Sequence, residues 1–198
     1  MIKFNNICQD EPYVILKNKY EEAVQANQKI VEAISISSFC SRTNEVDSRY
    51  VNLKFISDNE FIFFSNYDSP KSLQFSSHKQ ISAILFWSEI NTQIRMKAYI
   101  EKTSKDFSDN YFEKRNKNKN ALAISSNQSK KIESYSKVEE NYKNTLENKN
   151  LSSRPPYWGG FSFIPFYFEF WEGDDNRLNK RVAFKLENRK WIKSFLQP

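Results

Sequence analysis

Glycine is nearly absent: the 198 residues contain three, Gly159, Gly160 and Gly173. A phosphate loop built on bare backbone needs glycines in a fixed pattern, so neither a G-x-G-x-x-G fingerprint nor a P-loop can be drawn. Any phosphate must be held by side chains and ordinary amides. Tight turns must fall to Asn, Asp and Ser. Cysteine is as scarce, and Cys8 and Cys40 make neither a disulfide framework nor a zinc set. The single histidine, His78, excludes a His-rich metal centre, argues against a Ser-His-Asp triad, and reads as an exposed helix-end residue. No apolar run reaches membrane-span length and the N-terminus is polar. The expectation is a soluble protein of a reducing, cytoplasmic compartment, without a membrane partner.

What the chain has is aromatic side chains: 17 Phe, 10 Tyr and 4 Trp. A disordered chain is poor in these, and the length suits one compact domain. A mean hydropathy of -0.73 comes from the Lys, Asn, Ser and Glu that clothe the surface. The net charge of +6 favours an anionic partner without choosing which. E-K-R-N-K-N-K (113–119) concentrates positive charge, but no recognition motif or stacking platform accompanies it. It reads as an exposed loop, and nucleic acid is not expected.

Residues 1–11 carry no pattern and read as a mobile N-terminus; 12–198 read as a single domain. A helix is predicted over 12–26, with Pro12 in its first turn. Alternation predicts strands over 30–40, 49–57, 60–66, 81–87 and 92–104. In 49–57, Arg49, Val51, Leu53 and Phe55 fall on one face, and Tyr50, Asn52, Lys54 and Ile56 on the other. A short helix over 68–78 has Ser69 as candidate cap and Pro70 in its first turn. Two or three helices are predicted in 106–149, the longest near 130–147. The chain then returns to strands in G-F-S-F-I-P-F-Y-F-E-F-W (160–171), V-A-F-K-L-E (182–187) and K-W-I-K-S-F-L (190–196). About seven strands with hairpin-like spacing and four helices predict a mainly β, α+β fold: an antiparallel barrel with appended helices.

Arg49, Lys54 and Lys71 stand at predicted element ends, and Gln128-Ser129 precede Lys130-Lys131 before a helix. A helix start offers free amides and a positive dipole end, so this set can hold a phosphate without glycine. Taken singly, each basic residue reads more simply as a solvated surface charge.

Nine short motifs in order resemble the pyridoxamine 5′-phosphate oxidase family over about Glu11 to Pro198. They are S-R-Y-V-N-L-K (48–54), F-F-S-N (63–66), S-P-K (69–71), T-Q-I-R (92–95), Y-F-E-K-R (111–115), S-S-N-Q-S (125–129), W-G-G-F (158–161), E-F-W-E-G (169–173) and R-L-N-K-R (177–181). The resemblance implies a split β-barrel, a homodimer, and flavin mononucleotide (FMN) at the dimer interface. It implies FMN contacts from Arg49, Tyr50, Val51, Asn52, Leu53, Lys54, Phe64, Ser65, Lys71, Gln93, Gln128, Ser129, Trp171 and Arg181. The substrate phosphate is expected at Lys54, Tyr111 and Arg115, and Arg177 over the pyridine ring. The implied reaction oxidises pyridoxine or pyridoxamine 5′-phosphate to pyridoxal 5′-phosphate, with oxygen as acceptor and hydrogen peroxide released. Arg177 is assigned to orientation, because arginine is a poor proton carrier at neutral pH.

Three departures stand out. Pro70 replaces an arginine of the family pattern, removing one FMN phosphate ligand. Lys119 replaces a serine near the substrate phosphate. Asn179-Lys180 replace His-Asp, and Asn179 cannot titrate near neutrality. These keep open a related flavin oxidase of the phenazine-biosynthesis type, and a flavin or pyridoxal-phosphate binder with little turnover.

Overall fold

A computed structural model describes all residues, Met1–Pro198. Strands β1 (Lys3–Asn5), β2 (Ala33–Cys40), β3 (Glu45–Asn52), β4 (Phe55–Ser57), β5 (Glu60–Asn66), β6 (Gln80–Trp87), β7 (Thr92–Lys102), β8 (Trp158–Glu172), β9 (Lys180–Glu187) and β10 (Lys190–Phe195) form one sheet. Helices α1 (Glu11–Gln25), α2 (Pro70–Ser77), α3 (Lys105–Lys114), α4 (Lys117–Ser125) and α5 (Tyr135–Asn148) flank it. The strand order is β1-β4-β5-β8-β7-β6-β2-β3, with β9 and β10 branching from β8. The architecture is mixed α+β. The sheet does not close by hydrogen bonding, because β1 and β3 remain its edges. Nor is it wholly antiparallel: β1 pairs with β4 in parallel. The patternless N-terminus thus contributes a strand.

The strand β8 is the spine. Its first half lies between β5 and β7, its second between β7 and β9. Pairing with β7 shifts register between Lys97 and Ala98, opposite Tyr167 and Pro165. That irregularity is where a central strand can hold a proline, which has no N–H for the ladder. On the inner face Phe61, Phe63, Phe161, Phe163 and Phe168 are buried, with Phe61 stacked on Phe163 at 5.1 Å. Tyr13, Leu16, Tyr20 and Ala23 of α1 cover this core.

The strand predicted over 49–57 breaks at Leu53-Lys54. Leu53 and Ile56 are both fully buried, which strict alternation forbids for residues three apart. The Leu53 amide bonds the Glu32 carbonyl and that of Lys54 the Ile62 carbonyl, so the chain changes partners there. Ser69 stands at the N-cap of α2 as predicted, but its hydroxyl makes no capping bond and donates instead to the Asn66 carbonyl at 2.7 Å. Ten residues other than glycine have positive φ, and Asn6, Asn27, Asn44, Asp58, Asn91 and Asn188 are six of them. No glycine does, so the left-handed turns fall mainly to Asn and Asp.

The glycines serve close approach instead. A Cβ on Gly159 would stand 2.1 Å from the Tyr67 hydroxyl and 2.6 Å from its ring. Overpacking of this kind costs about 1–3 kcal/mol. Gly159→Ala is therefore expected to lower stability by about that amount in urea unfolding; an unchanged midpoint would show that Tyr67 can move aside freely.

Candidate functional site

A cleft of about 880 Å³ opens between β3, β4, β5 and helices α3 and α4. Six cations line it, Lys3, Lys54, Lys71, Lys114, Arg115 and Lys119, and no carboxylate does. The apolar wall comes from Phe55, Phe64, Phe107, Tyr111 and Trp158. Phe64 stacks on Tyr111 at 3.7 Å and on Trp158 at 5.3 Å. The Arg115 guanidinium sits 5.0 Å from the Trp158 ring, a cation–π contact. A flat apolar wall beside concentrated positive charge suits a planar, anionic ligand.

Lys71 lies at the buried end. It is 8% exposed and bonds only the hydroxyls of Ser65 (3.1 Å) and Ser69 (3.2 Å). Burial, reinforced by the nearby Arg49 charge, pulls it down to about 8. A buried ammonium with no counter-ion is costly, and a phosphate group would meet that need in both charge and hydrogen bonding. At the other end, burial first and then repulsion from Lys119 and Arg115 hold Lys54 below the usual lysine range, against the pull of Glu32. Arg115 is fixed by Asn120, whose Oδ1 accepts from it at 3.0 Å. Asn120 is fully buried and anchored to the carbonyls of Phe112 and Leu151. Burial also pushes the Tyr111 phenol up.

The residues named from sequence divide into two groups. Tyr50, Val51, Asn52, Lys54, Phe64, Ser65, Lys71, Tyr111, Arg115, Lys119 and Gln128 line the cleft. Arg49 turns away from it, onto the Ile36 carbonyl, the Ser38 hydroxyl and Gln74 Oε1. Leu53 lies wholly in the core, so its side chain is no ligand. Ser129 is exposed with φ 67° and is not on the cleft wall.

Gln93, Trp171 and Arg181 form the second group, adjacent across β7, β8 and β9. Arg177, at φ 62°, and Asn179 lie in the turn after β8, where Asn179 Oδ1 accepts from the Asp174 amide at 3.1 Å. None of these five lines the cleft. Trp158 marks the cleft and Trp171 the second group, thirteen residues apart on β8, roughly 40 Å of extended strand. Beside the second group Glu169, 3% exposed, is ion-paired with Arg95 and Arg181. Burial would raise its carboxyl, but hydrogen bonds from Arg95, Arg181 and Tyr167 hold it below the usual range.

Sequence reasoning passed over Lys3, Phe55, Phe107, Asn110, Lys114, Asn116, Leu122 and Trp158 as lining residues. Trp158 stood in the W-G-G-F motif and was readable there. Lys3 had no signal, because its place follows from the parallel pairing of β1.

Comparison with known proteins agrees with this geometry. The solved structure of PhzG from Burkholderia lata 383, in complex with tetrahydrophenazine-1-carboxylic acid, superposes with a TM-score of 0.90 at 23% identity, covering 95% of this chain and 93% of that one. A pyridoxamine 5′-phosphate oxidase-related, FMN-binding protein from Nostoc punctiforme PCC 73102 gives 0.76 at 11% identity, covering 92% and 96%. These likenesses define the fold class, that of the pyridoxamine 5′-phosphate oxidase-like proteins. A sequence model described as the pyridoxine 5′-phosphate oxidase C-terminal dimerisation region matches residues 158–198. The pyridoxine/pyridoxamine 5′-phosphate oxidase of Synechocystis sp. is 31% identical over 96% of this chain and 89% of its own length. That of Actinobacillus pleuropneumoniae serotype 5b is 32% identical over 96% and 91%. The chain belongs to the pyridoxine/pyridoxamine 5′-phosphate oxidase family, a family of oxidoreductases.

The charge on Lys71 has a measurable consequence. Its folded value, about 8, lies below the ordinary 10.5. The unfolded chain therefore binds more protons between the two, and stability from this group rises with pH across that window. Lys71→Met is expected to raise the urea midpoint of the ligand-free protein at neutral pH, with the gain fading by about pH 10. A gain that is independent of pH would show that no uncompensated charge is buried there.

Proposed function

We propose that this protein is an FMN-dependent oxidase that converts pyridoxine or pyridoxamine 5′-phosphate to pyridoxal 5′-phosphate, with dioxygen as acceptor and hydrogen peroxide as co-product. The observation that carries the reading is the cleft itself: six cations, no carboxylate, an aromatic wall, and a buried lysine without a counter-ion. Lys71, with the Ser65 and Ser69 hydroxyls, is suited to hold the FMN phosphate. Asn52 and Gln128 offer amides for the flavin edge. Lys54, Tyr111, Arg115 and Lys119 are suited to the substrate phosphate, where guanidinium and ammonium groups complement phosphate oxygens. When bound, FMN supplies the two-electron acceptor and the reaction with oxygen.

The site is completed by a second copy of the chain. The separation of the two residue groups along β8 supports this, as does the match of residues 158–198 to a dimerisation region. The partner copy would bring Gln93, Trp171 and Arg181 to the flavin, and Arg177 and Asn179 to the pyridine ring. Arg177 orients substrate, and Asn179 contributes hydrogen bonds without a titrating proton. No helix is long and apolar enough to cross a membrane.

A second reading is an oxidase of the phenazine-biosynthesis type. Its support is the close superposition on PhzG and the asparagine at position 179.

Anaerobic titration of the FMN-loaded protein separates the two. Bleaching of flavin absorbance by pyridoxine or pyridoxamine 5′-phosphate, reversed by air with pyridoxal 5′-phosphate formed, is the expected result. A flavin that stays oxidised with both, but is bleached by tetrahydrophenazine-1-carboxylic acid, would transfer the assignment to the second reading. With the phosphorylated substrates, Arg115→Leu is expected to raise KM by about ten- to a hundredfold with kcat little changed, since a charge-assisted phosphate contact is lost from ground and transition states alike. An equal fall in kcat would instead place Arg115 at the reacting centre.

A further inference from the structure

The cluster around Glu169 has no part in the cleft and is not a surface ion pair. Four donors saturate the carboxylate. Oε1 accepts from Arg181 Nε at 3.1 Å and Nη2 at 2.8 Å; Oε2 accepts from Arg95 Nη2 and from the Tyr167 hydroxyl at 2.9 Å. A carboxylate offers about four acceptor positions, and all are used here. Arg95 Nε is buried with no partner, so Arg95 has less to gain from this arrangement than Arg181.

Arg181 is held on two sides. Glu169 takes the Nε–Nη2 edge of the guanidinium, and the Gln197 carbonyl takes one N–H of Nη1 at 2.8 Å. The Leu196 amide bonds the Arg181 carbonyl at 3.0 Å, tying the C-terminal segment to the same residue. Of the five guanidinium N–H groups, one on each terminal nitrogen is left over. Arg181 stands opposite Trp171 in the sheet register, and Trp171 opposite Gln93.

We infer that Glu169 is a positioning residue, which fixes the edge of Arg181 that is presented to FMN. The inference rests on the reading that Arg181 contacts the flavin. Glu169 touches neither cofactor nor substrate. Its carboxylate holds the Nε–Nη2 edge of the guanidinium, so that the one free N–H on each terminal nitrogen is fixed in direction. It also keeps the Arg95 and Arg181 charges from repelling each other across the gap. Without it, Arg181 keeps its charge and loses its direction.

A double-mutant cycle on FMN affinity, read from flavin fluorescence quenching on apoprotein, tests this. Glu169→Gln is expected to weaken FMN by about tenfold in the native background, as for loss of a charge-assisted contact. In an Arg181→Gln background the same change is expected to alter affinity by less than about twofold, because coupled residues are not additive. Equal weakening in both backgrounds, or none in either, would overturn the inference, since a packing role does not depend on Arg181. If Glu169→Gln fails to fold, Glu169→Asp keeps the charge, retracts it by one methylene, and is read in the same cycle. A native protein that does not quench FMN would defeat the reading of the site and this inference with it. Quenching by the native protein together with an additive cycle defeats the inference alone.

Discussion

The structure depends on one strand having three partners. Strand β8 satisfies its backbone against β5, β7 and β9 in turn, and no other strand could be removed at so large a cost in hydrogen bonds and buried aromatics. Its two ends do different work. Trp158 forms part of the cleft wall, where Arg115 rests on it. Glu169 and Trp171, near the other end of the same strand, carry the second group of candidate residues. A single strand therefore carries both groups of candidate residues, thirteen positions apart.

Charge is arranged by the same economy. The two buried Lys and Glu side chains, Glu169 and Lys71, are opposite in kind. At Glu169 an acid is buried with an excess of cations, each hydrogen-bonded to it. At Lys71 a cation is buried with only hydroxyls. At the first the buried carboxylate is fully matched by hydrogen-bonded donors, with one positive charge to spare. The second is incomplete without an anion, and hydroxyls, which can orient toward either sign, leave it ready for one.

Much of this was legible in the residues. Alternation located β2, β5, β6 and β7, and the proline in the first turn located α1 and α2, because local periodicity and capping chemistry are short-range properties. The scarcity of glycine foretold Asn and Asp in the left-handed turns. Most cleft residues were read from motifs. What escaped was set by partners distant in sequence. The break at Leu53-Lys54 comes from the carbonyls of Glu32 and Ile62. The strand at Lys3–Asn5 exists because β4 offers an edge. Arg49 stands in the S-R-Y-V-N-L-K motif, and Ile36, Ser38 and Gln74 accept three of its five N–H groups. Sequence shows which residues can bind a ligand, but not which have already found a partner inside the protein.

The departures from the family pattern then have a joint meaning. Pro70 removes a cation beside Lys71, and Lys119 adds one beside Lys54 and Arg115. The cleft keeps its charge but moves it toward the opposite end. Pro70 costs nothing locally, since it opens α2, where its missing N–H would have no helical partner. Lys71 is left to meet an anion with two hydroxyls and the field of Arg49, three of whose five N–H groups are engaged elsewhere. At the other end burial, with added repulsion from Lys119 and Arg115, holds Lys54 below the usual lysine range, and the three cations there suit an anion. The cleft as it stands thus sets a single buried lysine at one end against the cluster of Lys54, Arg115 and Lys119 at the other.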